Sequence, residues 1–314
     1  MSNQLLQRHG GLALLAAIIA AGPLFLDNGF HYNVAILAGL NAIVCIGLNL
    51  LIGHAGQISL GHAGFFALGA YASAILPERF GFHPLGALLT GALLVGLLAF
   101  AIARPILRLR GHYLAMATLG MGIIVSIVLD QKVDLTGGPD GMVVGDLTLF
   151  GQALRGNLAW YWLVGALLFV TTWMALNLVH SPVGRALKAV HGSELAAAAM
   201  GVDVFHYKVL VFVLSAVLAA IAGSLFAHYN GFVTPDEASF IHSIQLVTMV
   251  VLGGMASIAG SIVGAVALTL LPQLLADFHD YEMIVFGAIL MGTMILLPTG
   301  VVPTLAARIR ERLA

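Results

Sequence analysis

Charge is what this chain has least of. Asp, Glu, Lys and Arg make up 9% of its 314 residues, where soluble domains carry roughly 25%, and that scarcity excludes an ordinary water-soluble fold. The formal net charge is −1 and no basic tail or aromatic-interleaved basic patch is present, which sets nucleic-acid binding aside. Cysteine is down to one, Cys45 inside an apolar run, so no intrachain disulfide can form and a small buried hydrophobe is the default. None of Lys132, Lys188 and Lys208 follows a glycine, so there is no P-loop and any ATP hydrolysis belongs to another chain. Twelve histidines include no pair spaced three or four apart, and no Cys-x-x-Cys exists, so no metal or other cofactor is expected. Formal charges are also missing from the apolar runs themselves. Proton- and sodium-coupled carriers place ionisable groups there, and their absence disfavours ion coupling.

What is present is apolar sequence, with a mean hydropathy of +1.02. The runs cover residues 11–26, 34–52, 58–76, 85–103, 113–129, 158–179, 209–229, 244–275 and 283–302, most of them near the roughly 20 residues that cross a bilayer core. The first follows Arg8 and ends in small residues, but lacks a clear cleavage site and is read as a span. Run 244–275 would make a helix of about 48 Å, too long for one crossing, and is split near Ser257. The fold expected is all-α, a polytopic membrane protein of about ten transmembrane helices, including short or broken ones, with both termini cytoplasmic.

That topology puts Arg8, Arg104, Arg108, Arg110, Arg185, Lys188, Lys208, Arg308, Arg310 and Arg312 inside and only Arg79, Lys132 and Arg155 outside, as the positive-inside rule asks. Eight spans with two re-entrant segments keep the same parity and stand as the alternative. Residues 1–314 form a single transmembrane domain on this reading, with a cytoplasmic loop at 180–208 and an acidic external loop at 130–157.

The loop at 180–208 is the one long polar island of the second half, carrying Arg185, Lys188, Glu194, Asp203 and Lys208. Ser181 caps a helix opened by Pro182. Gly192 breaks it, Ser193 caps a second with Glu194 in its first turn, and Gly201 ends that one. The loop is read as a docking element, with an ordinary connector as the alternative.

Within the runs, Gly-His-Ala-Gly occurs at 53–56 and again at 61–64. Glycine at this density lets a helix break or backbones touch, and Gln57, Ser59 and His62 set hydrogen-bonding groups where lipid offers none. Together with Gly56 they are read as a pathway wall or helix break, and equally as packing glue. Ser59 with His62 would also suit a hydrolase, but no carboxylate stands in any run to orient the histidine. A second glycine-rich stretch holds Gly253, Gly254 and Ser257, followed by Gly260 and Gly264 at GxxxG spacing. Helix packing comes first there, and a broken helix lining a midplane site second.

These residues resemble a known family, the permease subunits of bacterial ABC importers for branched-chain amino acids, of the LivM type. The resemblance lies in residues 47–71, which hold both Gly-His-Ala-Gly copies, in Leu109-Arg-Gly-His-Tyr-Leu-Ala-Met-Ala-Thr-Leu-Gly120, in the loop at 184–201 and in Met249-Val-Val-Leu-Gly-Gly-Met-Ala-Ser257. Thr136-Gly-Gly-Pro-Asp-Gly-Met142 is similar to a further block. The resemblance implies a bacterial inner-membrane importer assembled from this permease, a sister permease, two cytoplasmic ATPases and a periplasmic binding protein. Leucine, isoleucine and valine are the implied cargo, with urea or short amides in relatives of the same build, and a passive channel as the rival class. It also implies that Arg185, Lys188, Glu194, Ala196 and Gly201 form the ATPase-coupling loop, similar to the EAA loop of other importers although one residue longer between Glu194 and Gly201.

Overall fold

Thirteen of the 21 residues of the helix Gly29–Asn49 are buried, and the rest of the molecule is arranged around it. The computed structural model describes residues 2–26, 28–109, 111–149, 151–275, 287–288, 291–292, 295–296 and 299–313. In chain order the helices are α1 (Ser2–Ala21), α2 (Gly29–Asn49), α3 (His62–Phe80), α4 (Pro84–Ile106), α5 (His112–Gln131), α6 (Asn157–His180), α7 (Pro182–Gly192), α8 (Glu194–Ala199), α9 (Val204–Asn230), α10 (Phe240–Gly253), α11 (Ile258–Leu275) and α12 (Val301–Leu313). The chain is therefore all-α in its bulk, and α2, with its π-helical extension Leu50–His54, packs against α6, α9, α10 and α11. By length and composition five described helices can cross a membrane: the extended α2, α4, α5, α6 and α9. Burial ranks them. The apolar window of α2 is 78% buried and that of α5 22%, so α2 is core and α5 faces outward.

Apolar burial gives helices little reason to associate in lipid, because the tails are as apolar as leucine; close backbone approach supplies it instead. Helices α3 and α9 show this most clearly. A Cβ at Gly69 would overlap the Ala220 backbone, and one at Gly223 would overlap the Phe66 carbonyl. One turn along, Ser73 Oγ and Ser224 Oγ share a hydrogen at 2.5 Å. Two ends of the bundle can be told apart. One carries α7 and α8. At the other, Met142–Val143 pairs antiparallel with Phe232–Val233, tying the segment after α5 to the segment after α9.

Three features differ from the sequence expectation. The helix expected from residue 58 begins at His62, and residues 56–61 lie outside any helix; Gly56 there adopts φ +69°, open to a residue without Cβ. Helices also extend past the apolar runs into polar end turns, so Glu78 and Arg79 lie in α3 and Lys208 lies in α9, 4% exposed. The long run breaks at 254–257, leaving an α10 of 14 residues, about 21 Å long and short of the roughly 30 Å hydrocarbon core. Arg110 and half of the expected last span, 283–302, lie outside the described residues.

Candidate functional site

Two breaks in helical structure, at 55–61 and at 254–257, meet next to the end of α2. Peptide groups freed from a helix inside a bundle need partners there, since lipid offers none. Asn49, fully buried, supplies them. Its Nδ2 donates toward Ser261 Oγ at 2.6 Å, the Ser257 carbonyl at 2.8 Å and the Gly254 carbonyl at 3.2 Å, and its Oδ1 accepts from Ala256 N at 2.8 Å. An amide is the side chain that offers donors and an acceptor together. The turn it holds contains Ala256 at φ +60°, the one described residue other than glycine in that region. Gly53, one turn beyond Asn49, leaves the room required: a Cβ there would overlap Ala256 N and Asn49 Oδ1. Gly254, at φ +123°, lies against the ring of Pro303, and Gly253 meets Gly260 and Gly264 backbone to backbone. Ser257 Oγ accepts from Gly260 N at 3.0 Å, capping α11.

The first break is held by a second buried network. His62 Nδ1 lies 2.8 Å from Ser59 Oγ and His62 Nε2 lies 2.6 Å from Ser215 Oγ on α9, with Phe65 and Phe212 edge-on to the ring. A neutral imidazole has one donor and one acceptor nitrogen, and each here finds a hydroxyl. Ser59 reaches His62 because it stands before the helix rather than on it. The pair is sealed, with both residues 1% exposed, and among the described residues no carboxylate touches the ring. The geometry thus suits a structural clasp. It does not suit a nucleophile and base, which need an orienting partner and an approach for substrate. Leu60 N donates to Thr118 Oγ1 at 3.1 Å, and a Cβ on Gly61 would overlap the Thr118 carbonyl oxygen. Gly61→Ala is therefore expected to cost about 1–3 kcal/mol of stability, read as a lower melting temperature in detergent with the α5 crossing loosened. Gln57, 2% exposed, has no hydrogen-bond partner for either amide atom among the described residues.

The polar segment 181–203 lies directly against the first break. Ser181 Oγ accepts from Val183 N and Gly184 N, Ser193 Oγ accepts from Ala196 N, and Asp203 Oδ1 accepts from His206 N. Gly201 closes α8 at φ +83°. These caps are local, and the sequence shows the first two and the glycine. Helix α7 rests on the break itself: a Cβ on Gly56 would come within 3.1 Å of His191 Nδ1. Arg185, Lys188, Ala196 and Gly201 are exposed, whereas Glu194 is half-buried and ion-paired with Lys208 of α9. The structure thus sets Gly56 against the loop at His191 and joins Gly254 and Ser257 to α2 through Asn49. Sequence reading passed over Asn49, Ser215 and Thr118, which are unremarkable in their own neighbourhoods. It also passed over Leu195 on α8 and Met200 at its end, 74% and 85% exposed, whose apolar character beside charged residues was the available signal.

Comparison with known proteins gives a consistent picture. A family model described as "Branched-chain amino acid transport system / permease component" matches residues 31–294. The chain is 34% identical over 259 residues to the high-affinity branched-chain amino acid transport system permease protein LivM of Escherichia coli (strain K12), covering 75% of this chain and 61% of that protein. It is 27% identical to LivH, the permease protein of the same description from that organism, over 69% of this chain and 75% of the relative. A probable LivM of Methanocaldococcus jannaschii is 23% identical over 74% of each chain. The match thus spans about three fifths of the length of the Escherichia coli LivM relative. No solved structure matches.

Proposed function

Because the chain belongs to the branched-chain amino acid transport system permease component family, we propose that it is the membrane subunit of an ATP-driven importer for leucine, isoleucine and valine. In this reading it sits in the bacterial inner membrane with ten crossings and both termini cytoplasmic. It pairs with a sister permease, two cytoplasmic ATPases and a periplasmic binding protein. That LivM and LivH are both detectably similar to this chain supports a two-permease assembly.

The observation that carries the reading is the contact of α7 with the first chain break. A docking loop must pass its motion inward, and here His191 bears on Gly56 while Lys208 binds Glu194 at the foot of α9. ATP-driven closure of the ATPases would move α7 and α8. That movement would reach the 55–61 break and α9, changing the side to which the pathway opens. Such a transition needs an element with two arrangements that the ligand biases, and segments already outside any helix are suited to it.

The exposed Leu195 and Met200 are assigned as apolar contacts to the ATPase, since exposed apolar side chains rimmed by polar residues mark interaction sites. Co-purification of the tagged permease from its native membrane is expected to bring down an ATPase and a second permease. Leu195→Asp with Met200→Asp should weaken ATPase recovery several-fold while the sister permease stays. Full ATPase recovery with both carboxylates in place would sink the docking assignment.

A further inference from the structure

At the end of the bundle opposite α7 and α8 a cavity of about 420 Å3 opens between α2, α10 and α11, within the range of about 300–1,000 Å3 typical of small-molecule sites. Its walls are largely apolar, Phe66 and Leu268 among them. Set into them are Glu237, His242, Gln245, Asn41 and Thr269. Asn41 Nδ2 donates to Thr269 Oγ1 at 3.1 Å, which leaves the second Asn41 hydrogen and the Thr269 hydroxyl hydrogen available to an acceptor. Glu237 stands on the 3-10 turn Pro235–Ala238 just before α10, with 22% of its side chain exposed.

What this carboxylate lacks is a cation. Among the described residues no Lys or Arg pairs with it, and the ionic neighbour it has is His242, whose Nδ1 is 3.6 Å from Oε2. That nitrogen already lies 2.9 Å from the Glu237 carbonyl oxygen. A carbonyl only accepts, so Nδ1 carries the hydrogen and the neutral ring gives the carboxylate no positive charge. The remaining charged and titratable groups facing Glu237 are Asp236 on its own turn and Tyr71 on α3, with Asp130 of α5 also within range of Tyr71. The Tyr71 hydroxyl is buried and has no hydrogen-bond partner among the described residues. A half-buried carboxylate surrounded this way favours an incoming cation, because burial without compensation penalises its charge.

We propose that this cavity is a subsite for a small ligand carrying a primary ammonium beside an apolar side chain, with Glu237 receiving the ammonium. Asn41 and Thr269 offer hydrogen to the ligand's carboxylate, and the apolar walls receive the side chain. The assignment rests on the importer reading above and adds to it a chemical choice: an α-amino acid offers partners to Glu237, Asn41 and Thr269 together, whereas urea or a short neutral amide leaves Glu237 uncompensated. Burial, and then Asp236, push the Glu237 carboxyl up to about 7. Its cation-binding form therefore gains population as the pH rises through that value.

The test uses the whole complex with its partner chains, reconstituted in liposomes, and radiolabelled leucine as the probe. Leucine uptake by the parent complex is expected to increase as the pH is raised through about 7. Glu237→Gln should lower uptake at least about tenfold, the size of one lost charge-assisted contact, and abolish that increase. Glu237→Asp, which keeps the charge on a shorter stem, should stay several-fold above Glu237→Gln. Damage to packing alone would strike the shorter aspartate at least as hard as the isosteric glutamine. A parent that takes up leucine while both variants fall together, or neither falls, overturns the subsite. A parent complex that takes up no leucine overturns the importer reading instead.

Discussion

Asn49→Ala is expected to destabilise the protein more than any other single truncation on α2, by roughly 3–5 kcal/mol, since each buried group left without its partner costs about 1–3 kcal/mol. The substitution removes the donor to Ser261, Ser257 and Gly254 and the acceptor for Ala256 N in one step. Water cannot replace them at a site with no exposed surface. The 254–257 turn would also lose what holds Ala256 at positive φ, a conformation costing of order 1–3 kcal/mol that persists only when its surroundings enforce it. The measurement is thermal unfolding of the purified protein in detergent, with leucine uptake alongside. Asn49→Asp is the sharper control: it keeps an acceptor for Ala256 N but offers no donor, and should fare no better than alanine. Melting of Asn49→Ala at the parent's temperature would remove Asn49 from its place at the centre of the two breaks.

The second large effect is expected at Lys208. Its ammonium is 5% exposed at the side chain, and its partner Glu194 is 28% exposed, so the pair is screened on one side only. Lys208→Met keeps the bulk of the stem and deletes the charge. Roughly 1–3 kcal/mol should be lost, less than for a fully buried pair broken at one end. The effect on coupling is expected to be larger than the effect on stability. Under the importer proposal, loss of this ion pair between α8 and α9 should let ATP hydrolysis by the assembled complex persist while leucine uptake falls at least about tenfold, within the range of a coupling free energy. Lys208→Met combined with Glu194→Gln should recover the melting temperature, because no uncompensated charge remains, and should leave uptake low. Recovery of uptake in that double variant would show that the pair serves stability alone.

Apolar runs show the helical bundle and its approximate element order directly, because lipid demands about 20 apolar residues per crossing. The caps at Ser181 and Ser193 are just as legible, their partners standing two or three residues away. The networks are not. Asn49 meets Ser261 across 212 positions, and His62 meets Ser215 across 153; nothing local marks either residue as one half of a pair. Glycines are an intermediate case: their density around 53–64 announces a break, but that Gly53 clears Ala256 and Gly56 faces His191 follows only from the tertiary arrangement. Glu194 shows the opposite limit. Its position in a docking loop suggests an outward contact, and its ion pair with Lys208 turns it toward the bundle. Glu237 reads as one more acid in an external loop until α2, α10 and α11 close a cavity beside it.

The crossing of α3 and α9 sets a mechanical scale for the whole molecule. With Gly69 on Ala220 and Gly223 on Phe66, no side chain lies between the two backbones to be compressed, and the pair turns as one stiff lever. Helix α9 has 27 residues, a length of about 40 Å, with Lys208 near one end and the turn bearing Glu237 just past the other. A tilt of about 5° pivoting at one end sweeps the opposite end through about 3.5 Å over that length, roughly the width of one methyl group. An angular adjustment of a few degrees at the Lys208 end therefore reaches the turn bearing Glu237 as a displacement of that size.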